Sequence, residues 1–444
     1  MLDEFRIALS EKGFDNIELL LVELMGIISP MPSATYEMVY TLEKEEKGKG
    51  LDYLFNLQIK NNYIQKTAID RNIYFKKSFG NKFLEITINL SKPEKNNNDI
   101  KKLLIKNNDV KYPKCLLCIE NLGYKGRVDH PARENIRIVP MKLNGEEWFL
   151  QYSPYAYFDH HAIIINKKHD NMVINHATFK KLLEFVNLYP TFFVGSNSDL
   201  PIVGGSILNH EHYQGGLHLL PMFYSEDKVV YLQNENIKIS SLDWYNSVIK
   251  FEGKDIGVIL KFANKVFDTW INYDDLSIDI LSHSGLERHS TVTPIARKKG
   301  DVYELFFILR NNRTNDEHKD GIFHAHKEYH NIKSEGIGLI EAMGLFILPP
   351  RLKRQLEYVR NILTGELDVS ECYLKYEDMI IHKDMISELI KKHSTNLSTT
   401  QANYVIRDTL SEVCKNILIN TACFKQDEKG LNALEKFVKK ALDN

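Results

Sequence analysis

Between Cys115 and about Pro350 the chain is a succession of short β-rich runs with little helical sequence between them. The runs cover residues 135–139, 148–152, 161–165, 192–195, 207–213, 217–220 and 303–309, and the clearest helical pattern among them is 177–189. Parallel strands need crossovers of a dozen residues or more, so strands joined this tightly predict an antiparallel sheet. Helices on one side of such a sheet make an α+β fold. The flanks read differently. Residues 1 to about 110 are mostly helical, with an apolar helix at 18–28 stopped near Ser29-Pro30-Met31-Pro32. The stretch 83–90 alternates like a strand, 43–50 is a charge run expected to be a solvated loop, and 91–99 is a polar break. From about 350 the chain is helical again, amphipathic at 385–393 and 433–442, and is expected to be a packing layer without chemistry of its own.

Charge excludes some functions. Lys+Arg is 57 against Asp+Glu 59, a net −2, so nothing drives the chain toward nucleic acid or an anionic membrane and any phosphate recognition must be local. The start lacks the cationic region of a signal peptide. The most apolar runs, 17–28 and 336–350, are short and interrupted by Glu18, Glu23 and Glu341, too short to span a bilayer. A cytoplasmic location is expected. Five cysteines in 444 residues do not make a disulfide framework. Cys115 and Cys118 form a C-x-x-C, while Cys372, Cys414 and Cys423 read as small buried apolar residues. Neither a G-x-G-x-x-G nor a Walker-A sequence is present.

The 16 histidines are unevenly spread. None precedes His130, three lie between His210 and His218, and three between His324 and His330. In Asn209-His210-Glu211-His212-Tyr213-Gln214-Gly215-Gly216 an extended backbone puts residues two apart on one face, so His210, His212 and Gln214 are expected to share a surface. Two imidazoles and an amide are costly to bury without partners. They form either a satisfied structural group or a reactive one. Gly204-Gly205 and Gly215-Gly216 bracket the cluster and allow a ligand close to the backbone.

Several segments carry a family resemblance. They are Cys115-x-x-Cys118, Gly126-Arg127-x-x-His130-Pro131-Ala132-Arg133, the stretch 148–155, His169, the stretch 194–216, Leu309-Arg310-Asn311-Asn312-Arg313-Thr314 and Gly321-Ile322-Phe323-His324-x-His326. Together with 83–95 they resemble the type 2, mostly bacterial, galactose-1-phosphate uridylyltransferases, within the wider histidine-triad superfamily. The resemblance implies two sheet halves from a duplicated unit, hence regions 1–110, 111–235, 236–350 and 351–444. It implies transfer of UMP from UDP-glucose to galactose 1-phosphate through a covalent uridylyl-His212, with UDP-glucose or UDP-galactose and hexose 1-phosphates as partners and a homodimer as the common assembly. Many superfamily hydrolases have a third histidine where Gln214 stands. A glutamine cannot shuttle a proton but can hydrogen-bond a phosphoryl oxygen, which favours transfer over hydrolysis. The alternative is a related nucleotide-sugar phosphorylase or nucleotide hydrolase using the same histidine.

The resemblance also implies a structural zinc on Cys115, Cys118, His169 and His210, a donor set suited to tetrahedral coordination. His324 and His326 repeat the H-x-H pattern. In type 1 relatives that pair joins a second metal site, for which Glu226, His283 or His289 would be further ligands here. A structural pair is the competing reading. Arg127, Arg133, Arg310 and Arg313 are candidates for phosphate contacts, and Asn197 and Ser206 match residues that contact the nucleotide phosphates.

Overall fold

The computed structural model describes residues 2–14, 16–91, 112–127, 129–204 and 207–443. Fifteen strands occur among them. In chain order they are β1 (Ile73–Phe79), β2 (Lys82–Ile88), β3 (Val139–Leu143), β4 (Glu146–Tyr152), β5 (Ala162–Asn166), β6 (Phe193–Gly195), β7 (His212–Gly216) and β8 (Asp227–Gln233). There follow β9 (Lys238–Leu242), β10 (Val248–Gly253), β11 (His283–Ser284), β12 (Glu287–Arg288), β13 (Ser290–Lys299), β14 (Val302–Asn311) and β15 (Leu345–Leu348). Ten of them form one sheet in the order β3-β4-β5-β7-β6-β13-β14-β10-β9-β8. Every pairing in it is antiparallel, so the α+β expectation holds.

Read from its two edges inward, the sheet repeats itself. Each half is a three-strand meander, then a crossover helix, then two strands of which the last lies beside the meander. The crossover helices are His176–Leu188 and Ile256–Trp270. The halves join where β6 pairs β13, Gly195 against Ile295 and Val194 against Ala296. In this repeat β14 is the counterpart of β7. His324 and His326 lie beyond β14 in irregular chain, so the second H-x-H is not the repeat of the first.

Helices lie over both faces of the sheet, not over one side as expected, which is why β14 is nearly continuous in apolar residues. Leu305, Phe307 and Leu309 join the core under the crossover helices. Phe306 and Ile308 join the opposite core with the small sheet β1-β2-β15 and the helices Arg351–Leu363 and Thr399–Thr421. The last helix, Glu428–Asp443, packs instead on Ile256–Trp270. Cys372, Cys414 and Cys423 are buried and unpaired.

The sequence reading contains no strand at β8, β9, β10 or β13, and elsewhere strand ends depart from it where side chains or loops claim the backbone. Of 135–139 only Val139 is in a strand, because the Asn135 carbonyl accepts from Gln58 and Asn61. Residues 207–211 precede β7, since Met172 and Glu211 N–H groups bond the Leu208 and Asp170 carbonyls and tie this stretch to the 170–172 loop. Residues 217–220 are irregular. The polar break at 91–99 lies outside the described residues apart from Ser91.

At the N-terminus only residues 46–48 of the charge run form a loop; the rest lies in two helices. Helix Pro32–Glu45 contains Glu43, and the next helix, Lys49–Lys60, starts after a turn at Gly48 with φ +97°. Glu43 is buried and accepts the Gly48 and Leu51 N–H groups at 3.0 and 3.1 Å, satisfying donors that a helix start leaves open. Arg137 pegs the helix Ile17–Ile28 and the turn after it to the sheet domain. It is buried, and its guanidinium donates to the Gly26, Ser29, Pro30, Glu134 and Ile136 carbonyls. No single helix among the described residues is long and apolar enough to cross a membrane.

Helices Pro32–Glu45 and Lys49–Lys60 pack tightly at Gly50, where a Cβ would stand 2.3 Å from the Val39 carbonyl oxygen. Gly50→Ala is therefore expected to destabilise the chain by about 1–3 kcal/mol through overpacking. A lower thermal midpoint checks this; an unchanged midpoint contradicts it.

Candidate active site

Cys115, Cys118, His169 and His210 come together although they span three separate segments, and their ligand atoms all lie within 4.8 Å of one another. Cys115 Sγ is 3.2 Å from His210 Nδ1, Cys118 Sγ is 3.1 Å from His169 Nδ1, and the two sulfurs are 3.6 Å apart. A tetrahedral ion about 2.0–2.3 Å from each ligand requires ligand separations of about 3.5 Å, so the residues present fit a metal. Protonation agrees. His210 Nε2 donates to the Asn166 carbonyl at 2.8 Å, which leaves the Nδ1 lone pair facing the sulfurs. Burial pushes the Cys118 thiol up to about 11, so a thiolate there calls for a neighbouring cation.

His210 precedes β7, and its ring turns into this group instead of sharing a face with His212 and Gln214. Its backbone carbonyl points the other way and accepts from His212 Nδ1 at 2.8 Å. That bond puts the His212 proton on Nδ1 and leaves Nε2 with its lone pair. Burial lowers the His212 pKa to about 4. On the reverse face of β7, Tyr213 stacks on Trp148 with centroids 4.7 Å apart, and Glu211 is held by Lys181 at 3.0 Å and Asn166 at 2.8 Å.

Gln214, next on the His212 face, lines a cavity of about 890 Å³. Its Oε1 accepts from His161 Nε2 at 3.1 Å. Asn197 also lines the cavity, and its Oδ1 accepts the Leu339 N–H at 2.8 Å. Across from the sheet lie Lys333 and Glu341, ion-paired at 3.0 Å with side chains only 8% and 12% exposed. Burial alone would lower the Lys333 pKa; the Glu341 and Glu335 carboxylates outweigh it and hold the amine above its usual value. Ile202, also on the wall, has φ +72°, a strained setting for a β-branched residue and one typical of ligand sites.

The arginines are spread out. Arg127 bonds the Tyr112 carbonyl, Tyr124 and Asp129; Arg133 lies over the Tyr63 ring; Arg313 bonds the Asp279 carbonyl. None of the three lines the cavity. Arg310 is fully buried with Nη2 donating to the Ile337 carbonyl, and burial lowers its pKa to about 10, still cationic at neutral pH. His324 lines the cavity, and burial together with Arg310 brings its pKa to about 4. Among the described residues His324 and His326 join no group of three or more metal-ligating side chains. His326 stacks on His318 at 4.1 Å, and His289 is held by Asn312 and Ser284. His283 bonds Ser282. A buried guanidinium beside His324 opposes a second cation there. Ser206 lies outside the described residues.

Sequence reasoning missed His161, Lys333 and Glu341. A histidine at the start of a β run was visible, but its partner is 53 positions away. Nothing in the order of residues brings 333–341 to the sheet.

A family model described as galactose-1-phosphate uridyl transferase, N-terminal domain, matches residues 8–171, and the corresponding C-terminal domain matches 184–372. A galactose-1-phosphate uridylyltransferase of Caldanaerobacter subterraneus is 41% identical over 98% of this chain and 85% of its own length. That of Fusobacterium nucleatum is 40% identical over 96% and 85%. Among solved structures, a yeast Ap4A phosphorylase in complex with Ap4A aligns with a TM-score of 0.36 at 10% identity, over 74% of this chain and 94% of that one.

The Lys333–Glu341 pair generates a prediction of its own. Lys333→Met leaves the Glu341 carboxylate buried without its cation, a loss of about 3 kcal/mol. Adding Glu341→Gln, which keeps an acceptor for the Gly338 N–H, is expected to restore most of the thermal midpoint, a recovery that a double-mutant cycle measures.

Proposed function

The chain belongs to the galactose-1-phosphate uridylyltransferase family, and from that premise we infer that it carries UMP from UDP-glucose to galactose 1-phosphate on His212. The observation that carries this reading is the hydrogen bond from His212 Nδ1 to the His210 carbonyl, on a buried ring two residues from Gln214, the strand residue that lines the cavity. It leaves His212 Nε2 as the nucleophile. The Nε2 lone pair attacks the α-phosphorus of UDP-glucose. The bond from that phosphorus to the oxygen of glucose 1-phosphate breaks, and the electron pair departs with the sugar phosphate. A phosphate oxygen of galactose 1-phosphate then attacks the same phosphorus, and the P–N bond returns its pair to Nε2. Both the leaving group and the acceptor are phosphates of low basicity, so little general-acid help is needed.

Gln214 supports transfer over hydrolysis. Its amide offers a hydrogen bond to a phosphoryl oxygen as charge develops but has no proton to give to a leaving group. Asn197, and Ser206 by its place in the motif, are assigned to the same phosphates. Arg310, with Arg127, Arg133 and Arg313 further off, supplies positive charge around them. The four-residue Cys/His group is assigned to zinc, held by Cys115, Cys118, His169 and His210. The ion's contribution is to anchor His210, and through it the carbonyl that orients His212. No second metal is assigned to His324 and His326. Five cysteines with no disulfide among them fit a reducing, cytoplasmic setting.

Incubation with uridine-labelled UDP-glucose alone tests the reading. One equivalent of glucose 1-phosphate and an acid-labile label on the protein are expected, with labelling abolished in His212→Ala at an unchanged fold. Turnover to free UMP would instead indicate the hydrolase reading, and labelling that survives in His212→Ala would move the nucleophile elsewhere. For the metal, elemental analysis of purified protein is expected to give one zinc per chain, and Cys118→Ser to lower thermal stability more than it slows the chemical step. Protein isolated without zinc at full stability would contradict that assignment.

A further inference from the structure

We propose that His161 is a positioning residue that decides which end of the Gln214 amide faces the uridylyl group. The proposal rests on the reading that Gln214 donates to that group. A glutamine amide is nearly symmetric in shape, and either end fits the same space unless a neighbour tells oxygen from nitrogen. Here the neighbour is unambiguous. The Tyr157 backbone N–H can only donate, and it points at His161 Nδ1 at 3.4 Å. The imidazole proton therefore sits on Nε2, which points at Gln214 Oε1 at 3.1 Å. With Oε1 accepting from His161, the amide NH2 is the end left for the cavity. Turning the amide over would set the His161 N–H against the NH2 and the carbonyl oxygen against the phosphoryl oxygen, two repulsive contacts at once.

The ring is well held for this task. His161 is 2% exposed and packed between Tyr157 and Phe158, with centroids 5.2 and 4.6 Å away. Burial brings its pKa to about 4, so the single-proton form persists at neutral pH. No other strand shares the work. The residue opposite Gln214 on β6 is Gly195, which has no side chain, and a Cβ there would stand 2.4 Å from Leu339 Cδ1. The residue opposite on β5 is Ile163, which offers no hydrogen bond from its side chain. Among the described residues, His161 is the partner recorded for the Gln214 side chain.

The test measures uridylyl transfer by the full-length enzyme in four variants: His161→Phe, His161→Gln, Gln214→Ala and the His161→Phe/Gln214→Ala double. Loss of the His161 donor is expected to lower kcat about tenfold, the worth of one directed hydrogen bond, with the KM for UDP-glucose nearly unchanged. His161→Gln, which keeps a donor, should recover much of it. In the Gln214→Ala background His161→Phe should cost nothing further, because there is no amide left to orient. A purely structural role predicts losses that add, and additive losses overturn the proposal, as does full activity in His161→Phe. Full activity in Gln214→Ala would instead remove the role given to Gln214 itself. Nitrogen-15 NMR of the unmodified enzyme needs no variant to fold: the Nε2–H tautomer of His161 is expected, and an Nδ1–H tautomer overturns the proposal.

Discussion

The hydrogen bond from His212 to the carbonyl of His210 is what the rest of the site depends on. It sets the tautomer and the ring angle together. The carbonyl that receives it belongs to a residue whose own side chain is fixed by Cys115 on one nitrogen and by Asn166 on the other. One peptide unit thus passes the rigidity of the Cys/His group to the His212 ring, with no contact between that group and the cavity required. Such outer support keeps a reactive atom within a few tenths of an ångström of its working position.

The repeated architecture divides the labour unevenly. Both halves of the sheet use the same order of strands and the same crossover helix, yet only β7 carries the histidine and glutamine. Its counterpart, β14, carries apolar residues to both cores and ends in Arg310 and Asn311. None of the strands β8 to β14 contributes a residue to the cavity lining. The far side of the cavity is closed by the chain between Lys333 and Pro350, which returns to pair β15 in parallel with β2. The cavity is thereby built from segments far apart in the chain, which is a reason for one large fold instead of two small ones.

About half of the sheet was legible because its physics is local, while β8, β9, β10 and β13 were not read as strands at all. Strands β4, β5, β6 and β14 alternate or run apolar where a covered strand must, and the crossover helix at His176–Leu188 has its period and an Asn175 cap. The ends of strands were not legible, since hydrogen bonds from Gln58, Asn61 and the 170–172 loop decide them at long range. Glu43 looked like one charge in a solvated run, yet the backbone donors of the next helix give it a buried role. The Cys/His quartet could be named from its motif. That His210 leaves the face of its neighbours could not, because the alternation rule holds only once a strand has begun. His161 escaped for a similar reason: a lone histidine acquires meaning from the side chain that folding puts opposite it.

Arg137 has a consequence for how the N-terminal helices stay attached. All the hydrogen bonds its guanidinium makes go to main-chain carbonyls, and it is buried. An exposed ion pair fades as dissolved electrolyte shortens the Debye length, from about 10 Å at 0.1 M to about 3 Å at 1 M. A cation seated among neutral peptide dipoles and sealed from solvent has no counter-charge to be screened away. The docking of these helices is therefore set to tolerate brine in which surface pairs such as Arg6–Glu18 lose their hold.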